Sequence, residues 1–147
     1  VVKRYITDFG TEDLLNKPNV TVFPHVGGST GEAELNCAIM AGQTIRRFME
    51  TGEIVNSVNF PRVQQVLSAP YRITLINKNV PNIVARISTA VSDFNINIDN
   101  IINRSKGDYA YTLLDLDETD KSKIDELVAK FEASENIVRV RLIKGKS

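Results

Sequence analysis

From residue 71 onward the apolar positions fall into two alternating periods. Tyr71, Ile73 and Leu75 alternate with Arg72 and Thr74, which predicts a half-buried strand. Pro81 suits a first helical position, and Val84, Ile87, Val91 and Phe94 then recur every three or four residues as one apolar helix face. Asn95 suits the left-handed conformation at that helix's end. Ile96, Ile98, Ile101 and Ile102 mark a second strand, bulged where the alternation slips. Lys106-Gly107-Asp108 predicts a tight turn into a third strand, from Tyr109 to Leu116. Thr119 or Asp120 can cap a second helix with the face Ile124, Leu127, Val128 and Phe131. Ile137, Val138, Val140, Leu142 and Ile143 make a last strand. The order βαββαβ over residues 71–147 predicts an α+β, ferredoxin-like unit with both helices on one sheet face.

The upstream pattern is thinner. Short strands are predicted at Val1–Thr7 and Val20–Phe23, the second running into Pro24-His25-Val-Gly-Gly-Ser-Thr30. A long helix follows over residues 31–51, with Leu35, Ala38, Ile39, Gly42, Ile45 and Met49 along one side. Ser29 and Glu32 have the spacing of a capping box at its start. Two short strands cannot cover that stripe, and a two-stranded piece is marginal in water. Residues 1–60 therefore read as an incomplete α/β remnant that stays mobile or folds only by packing on another copy. Pro61 and Pro70 bracket what reads as a connector.

Charge narrows the partners. The 147 residues carry 18 Lys+Arg against 18 Asp+Glu, a formal net charge of zero, which argues against a nucleic-acid partner. One cysteine, Cys37, cannot close an internal disulfide, so a reducing, cytoplasmic setting is expected. Its mid-helix position, with no histidine spaced to activate it, predicts a small buried residue. No apolar run approaches the ~18 residues needed to cross a bilayer, and no signal-peptide layout opens the chain. No membrane partner and no metal site are expected.

Candidate chemistry clusters before the long helix. Gly27, Gly28 and Gly31 precede a helix N-terminus, which favours anions, but their spacing is neither a dinucleotide fingerprint nor a P-loop. Taken alone, they read as a plain helix-start turn rather than a phosphate site. His25, the only histidine, is a natural acid–base group or a structural one. A rival reading is an RNA-binding module of the same βαββαβ order, with Tyr109 and Tyr111 on one strand face for base stacking. Asp115, Asp117, Glu118 and Asp120 would repel phosphates there. Arg139, Arg141, Lys144 and Lys146 read as solvent-facing protection of an edge strand, and Arg46 and Arg47 as the polar side of the long helix.

Three blocks together carry a resemblance. Tyr5-Ile-Thr-Asp-Phe9, Pro24-His-Val-Gly-Gly-Ser-Thr-Gly-Glu-Ala33 and Asn56-Ser-Val-Asn-Phe-Pro61 resemble the C-terminal part of the D-3-phosphoglycerate dehydrogenases. Residues 71–144 resemble the ACT regulatory domain that follows their catalytic domains. The resemblance implies a division into 1–30 (end of a Rossmann-type NAD-binding domain), 31–61 (crossover helix and tail of the substrate domain), 62–70 (linker) and 71–147 (ACT domain). It implies NAD as cofactor and a place in serine biosynthesis, with His25 as acid–base in hydride transfer and Asp8 on the nicotinamide carboxamide. Gly27 and Gly28 would let backbone approach the nicotinamide. Glu12 is the candidate carboxylate partner of His25, one residue short of the family spacing. The family's substrate-anchoring arginine and glycine-rich fingerprint do not occur here, so the chain by itself is expected to be inactive. For the ACT part the resemblance implies a homo-oligomer, at least a dimer, and L-serine held by Asn77, Asn79 and Asn97. Asn82 stands where the family usually has glycine, and assembly without ligand is the alternative.

Overall fold

The structure, a computed structural model, describes residues 3–145 of the chain. Its elements are β1 (Tyr5–Thr7), α1 (Glu12–Leu15), β2 (Val20–Val22), α2 (Gly31–Thr51), β3 (Tyr71–Lys78), α3 (Ile83–Ser92), β4 (Asn97–Lys106), β5 (Tyr109–Asp117), α4 (Lys121–Glu132) and β6 (Ile137–Lys144). Two compact units divide within α2, residues 1–42 and 43–147.

In the second unit the strands form one antiparallel sheet in the order β4-β5-β3-β6, the ferredoxin-like arrangement predicted from the hydrophobic periods. Local chemistry sets its joints. Gly107 takes φ 64° in the two-residue turn joining the paired Lys106 and Tyr109. Asn95 takes φ 53° just past α3, and the β4 register slips between Ile98 and Asn100 where the bulge was expected. Asp120 caps α4 by accepting the Ser122 N–H at 2.9 Å. One sheet face and the two helices close over Ile73, Leu75, Ile87, Val91, Leu114, Leu116, Ile124, Leu127 and Phe131.

The opposite face departs from expectation. Tyr71 to Leu75 are all buried, including Arg72 and Thr74, which alternation had placed in solvent. Residues 52–69 cover that face: Ile54 and Val63 pack on Tyr111 and Leu113, with Phe60, Ile76 and Ile102 around them. Ile54 and Val63 exchange backbone hydrogen bonds of 2.8 and 3.0 Å, pinning the segment into a small loop. This third layer joins the end of the expected substrate-domain tail, through Phe60, to Val63 of the expected linker 62–70. Its apolar residues are too scattered in sequence to announce it.

The first unit is small. β1 and β2 pair in parallel, Tyr5 opposite Val20, through the α1 crossover, and none of its described residues is buried. Two strands do not define a Rossmann sheet. Thr30, rather than Ser29, caps α2, its hydroxyl accepting the Ala33 N–H at 3.1 Å. No residue of α2 is buried, and Leu35, Ile39, Ile45 and Met49 of its stripe lie exposed. Cys37 is exposed too, against the expectation of a buried thiol, because none of the described residues packs over that side of the helix.

Candidate functional site

Parallel pairing brings the residues that follow β1 and β2 to the same end of the two-stranded sheet. The Thr7 hydroxyl accepts the Phe9 N–H at 3.1 Å, bending the chain so that Asp8 and Phe9 follow β1 closely. His25 arrives from β2, its Nδ1 2.8 Å from Asp8 Oδ2, with the Phe9 ring centroid 4.5 Å from its own. The imidazole is 60% exposed, so the pair orients the ring more than it stabilises the fold, at most about 1 kcal/mol. With Nδ1 on a carboxylate, Nε2 is the nitrogen available to exchange a proton. Glu12, the expected partner, begins α1 in an exposed position, and the imidazole pairs with Asp8 instead. Gly27 and Gly28 sit in an open turn where an added Cβ would meet nothing within 4 Å.

The second candidate site divides in the structure. Asn77 is fully buried: its amide donates to the Lys78 carbonyl at 3.0 Å and accepts the Thr112 hydroxyl at 2.9 Å. Thr112 in turn accepts from Asn103 at 2.7 Å, so a polar relay crosses β4, β5 and β3. Asn79 donates its side chain to the Gly107 carbonyl and its backbone N–H to Asp108, tying the β3–α3 loop to the hairpin turn. Asn97 lies elsewhere. It pairs with Asp117, whereas Asn77 pairs with Ala110, so about 23 Å of strand separates them at ~3.3 Å per residue. Asn82 holds φ 64°, a left-handed position that asparagine tolerates better than most residues, and makes no side-chain cap. The departure from glycine is thus conformationally conservative.

The contacts of four side chains escaped the sequence reading. Arg72 and Asp115, paired across β3 and β5, form a fully buried bidentate ion pair. The remaining guanidinium donors reach the carbonyls of Thr51, Gln65 and Val66 at 2.8, 2.9 and 3.2 Å. Tyr111 donates to the Gly52 carbonyl at 2.7 Å; burial raises its pKa above the usual phenol value, opposed by a Thr74 hydrogen bond and the charges of Arg141 and Arg72. Tyr111 therefore cannot stack on a base, although Tyr109 is exposed. Arg141, read as a solvent-facing charge, donates to the carbonyls of Phe48 and Met49 and stands over the Phe48 ring at 5.0 Å. The available signal was opposite charges set in register on two otherwise apolar strands.

Among the described residues no group of three or more His, Cys, Asp or Glu could hold a metal ion, and no helix is long and apolar enough to cross a membrane. Fold and geometry define a class: a ferredoxin-like βαββαβ module backed by a third layer, and a separate parallel-strand piece carrying a histidine–carboxylate pair. The comparisons give that class its relatives. No family model matches the chain. It is similar to D-3-phosphoglycerate dehydrogenase 2 of Saccharomyces cerevisiae, at 31% identity over 139 residues, covering 90% of this chain and 29% of that protein. It is also similar to the D-3-phosphoglycerate dehydrogenase of Escherichia coli K12, at 26% identity, covering 90% of this chain and 32% of that protein. The chain thus spans less than a third of the curated relatives it matches, which are oxidoreductases by name. Among solved structures, the ACT domain from GTP pyrophosphokinase of Chlorobium tepidum matches with a TM-score of 0.45 and 18% identity over 50% of this chain and 95% of that one.

Proposed function

We propose that the chain is part of an NAD-dependent D-3-phosphoglycerate dehydrogenase, with His25 as its acid–base and residues 43–145 as an ACT-type regulatory and assembly module. The observation that carries this reading is the meeting of His25 with Asp8 at 2.8 Å inside a chain similar to these dehydrogenases over 90% of its length. Asp8 holds the ring by Nδ1 and stabilises the imidazolium that forms when Nε2 takes a substrate hydroxyl proton. The open backbone at Gly27 and Gly28 and the part-exposed Asp8 carboxylate suit a nicotinamide ring and its carboxamide. Bound NAD would supply the hydride acceptor. The isolated chain should show no turnover with 3-phosphoglycerate and NAD, since the anchoring arginine and phosphate-binding loop lie in none of its segments. Turnover by this polypeptide alone would refute that. A cytoplasmic setting fits both this chemistry and a lone exposed thiol.

For the module, a pair of copies resolves the separation of Asn97 from Asn77. β4 is an outer strand of ten residues, and antiparallel pairing of two β4 edges about a two-fold axis sets Asn97 of one copy beside the Lys106 end of the other. Asn79, the β3–α3 loop and the α3 N-terminus lie at that end. A small amino acid, L-serine first, would place its carboxylate on the helix N-terminus and its ammonium on amide oxygens. The second reading, assembly without ligand, is favoured by Asn77, whose amide is already spent inside the protein. Light scattering and calorimetry separate the two. A dimer with a saturable heat at millimolar L-serine supports regulation, a dimer with a flat trace supports assembly alone, and a monodisperse monomer refutes both.

A further inference from the structure

The end of α2 is held in an unusual way. Its last carbonyls carry the negative end of the helix dipole, and that of Phe48 accepts the Gly52 N–H at 2.9 Å. Here they meet the sheet: Arg141 takes Phe48 and Met49, Arg72 takes Thr51, and Tyr111 takes the next carbonyl, Gly52. All five Arg72 donors are used, two on Asp115 and three on backbone carbonyls, at zero side-chain exposure. Gly52 has φ 71°, and a Cβ there would lie 2.5 Å from Thr74 Cγ2, so the backbone rests directly on β3. Glu53 closes the arrangement, accepting the Gln65 N–H at 2.8 Å and facing Arg47 of α2 at 3.6 Å.

We propose that Arg72 is a positioning residue that makes residues 52–69 a rigid strap, so that displacement of strands β3 and β6 is delivered to the last turn of α2 without a hinge. A point charge could neutralise Asp115, but only a planar fork can also satisfy three carbonyls from two separate segments. The strap needs no ligand to be rigid. It sets how a change in the sheet, from pairing or from an effector, leaves the module.

Nuclear magnetic resonance on the full chain tests it. Wild-type backbone order parameters in the strap should match those of the sheet, near ~0.85, and values below ~0.6 there overturn the proposal. Arg72→Lys keeps the charge and loses the fork. Exchange of the Ile54 and Val63 amides should quicken about tenfold or more while the amides between β3 and β5 hold, and unchanged rates overturn it. Should that variant fail to fold, Arg141→Ala, on the solvent side, decides. The Gly52 amide should exchange faster with Ile54 and Val63 unaffected, and no change at Gly52 refutes the capture. Transmission has its own readout. Val140→Ala, a perturbation of β6 on its helix-covered core face, should alter exchange at Gly52 in wild type and not in Arg141→Ala; equal effects in both backgrounds count against coupling.

Discussion

The relay through Thr112 offers the sharpest stability test. Thr112→Val changes a buried hydroxyl to a methyl of nearly the same volume, so no cavity opens and the side chain stays β-branched on its strand. Two hydrogen bonds disappear. Asn77 Oδ1 loses its donor at a fully buried position and pays its desolvation, about 1–3 kcal/mol. Asn103 is half-buried on the outer strand and can turn to water, so its loss is nearer ~0.5 kcal/mol. The sum, about 1.5–3.5 kcal/mol, is a large part of the ~5–15 kcal/mol a domain possesses. With a urea slope of roughly 1–3 kcal/mol/M, the midpoint should fall by about 1 M at unchanged slope. Urea unfolding followed by far-ultraviolet circular dichroism measures this. Adding Asn77→Leu to Thr112→Val should recover part of the loss, because an apolar pair leaves no orphaned acceptor. A single-variant effect under about 0.5 kcal/mol would show that Asn77 Oδ1 reaches another donor and refute the reasoning.

Tyr111 predicts an alkaline limit: its folded pKa is raised by burial, so the stability it lends is complete below pH 10.0 and is lost as pH rises through the folded value. Tyr111→Phe should flatten the fall of stability above that pH, measured by thermal melts across alkaline buffers. Gly52→Ala should destabilise by about 1–3 kcal/mol, from the positive φ and the 2.5 Å approach to Thr74, and a neutral result in chemical denaturation would deny the close seating of the strap. Asp120→Ala should cost about 1 kcal/mol through loss of the α4 cap, with Asp120→Asn close to wild type in the same assay.

The division between what was readable and what was not follows the range of the forces. The α4 face, the Asp120 cap, the Gly107 turn, the Asn95 terminus and the β4 bulge rest on neighbours a few residues apart, so local spacing revealed them, whereas the α3 face turned out to bury Ile83 and leave the expected Val84 exposed. The exposed stripe of α2 was equally legible, as more apolar surface than its own unit could cover. His25 was recognisable as the acid–base candidate because imidazole chemistry needs no context. Its partner was not, since the β1–β2 register decides that Asp8 rather than Glu12 reaches Nδ1.

Alternation along β3 correctly assigned the face of every side chain but could not say what lies over each face. Arg72 and Thr74 were read as wet because the scattered apolar positions of residues 52–69 give no period to hint that they fold back over them. Likewise Asn77 reads as an available amide until Thr112, 35 positions away, is found to occupy it. The order of strands and helices thus belongs to the chain's own periodicity, a property of residues close in sequence. Whether a polar group meets water, a ligand or a buried partner belongs to the packed fold, because desolvation is set by whatever distant segment arrives to exclude the solvent.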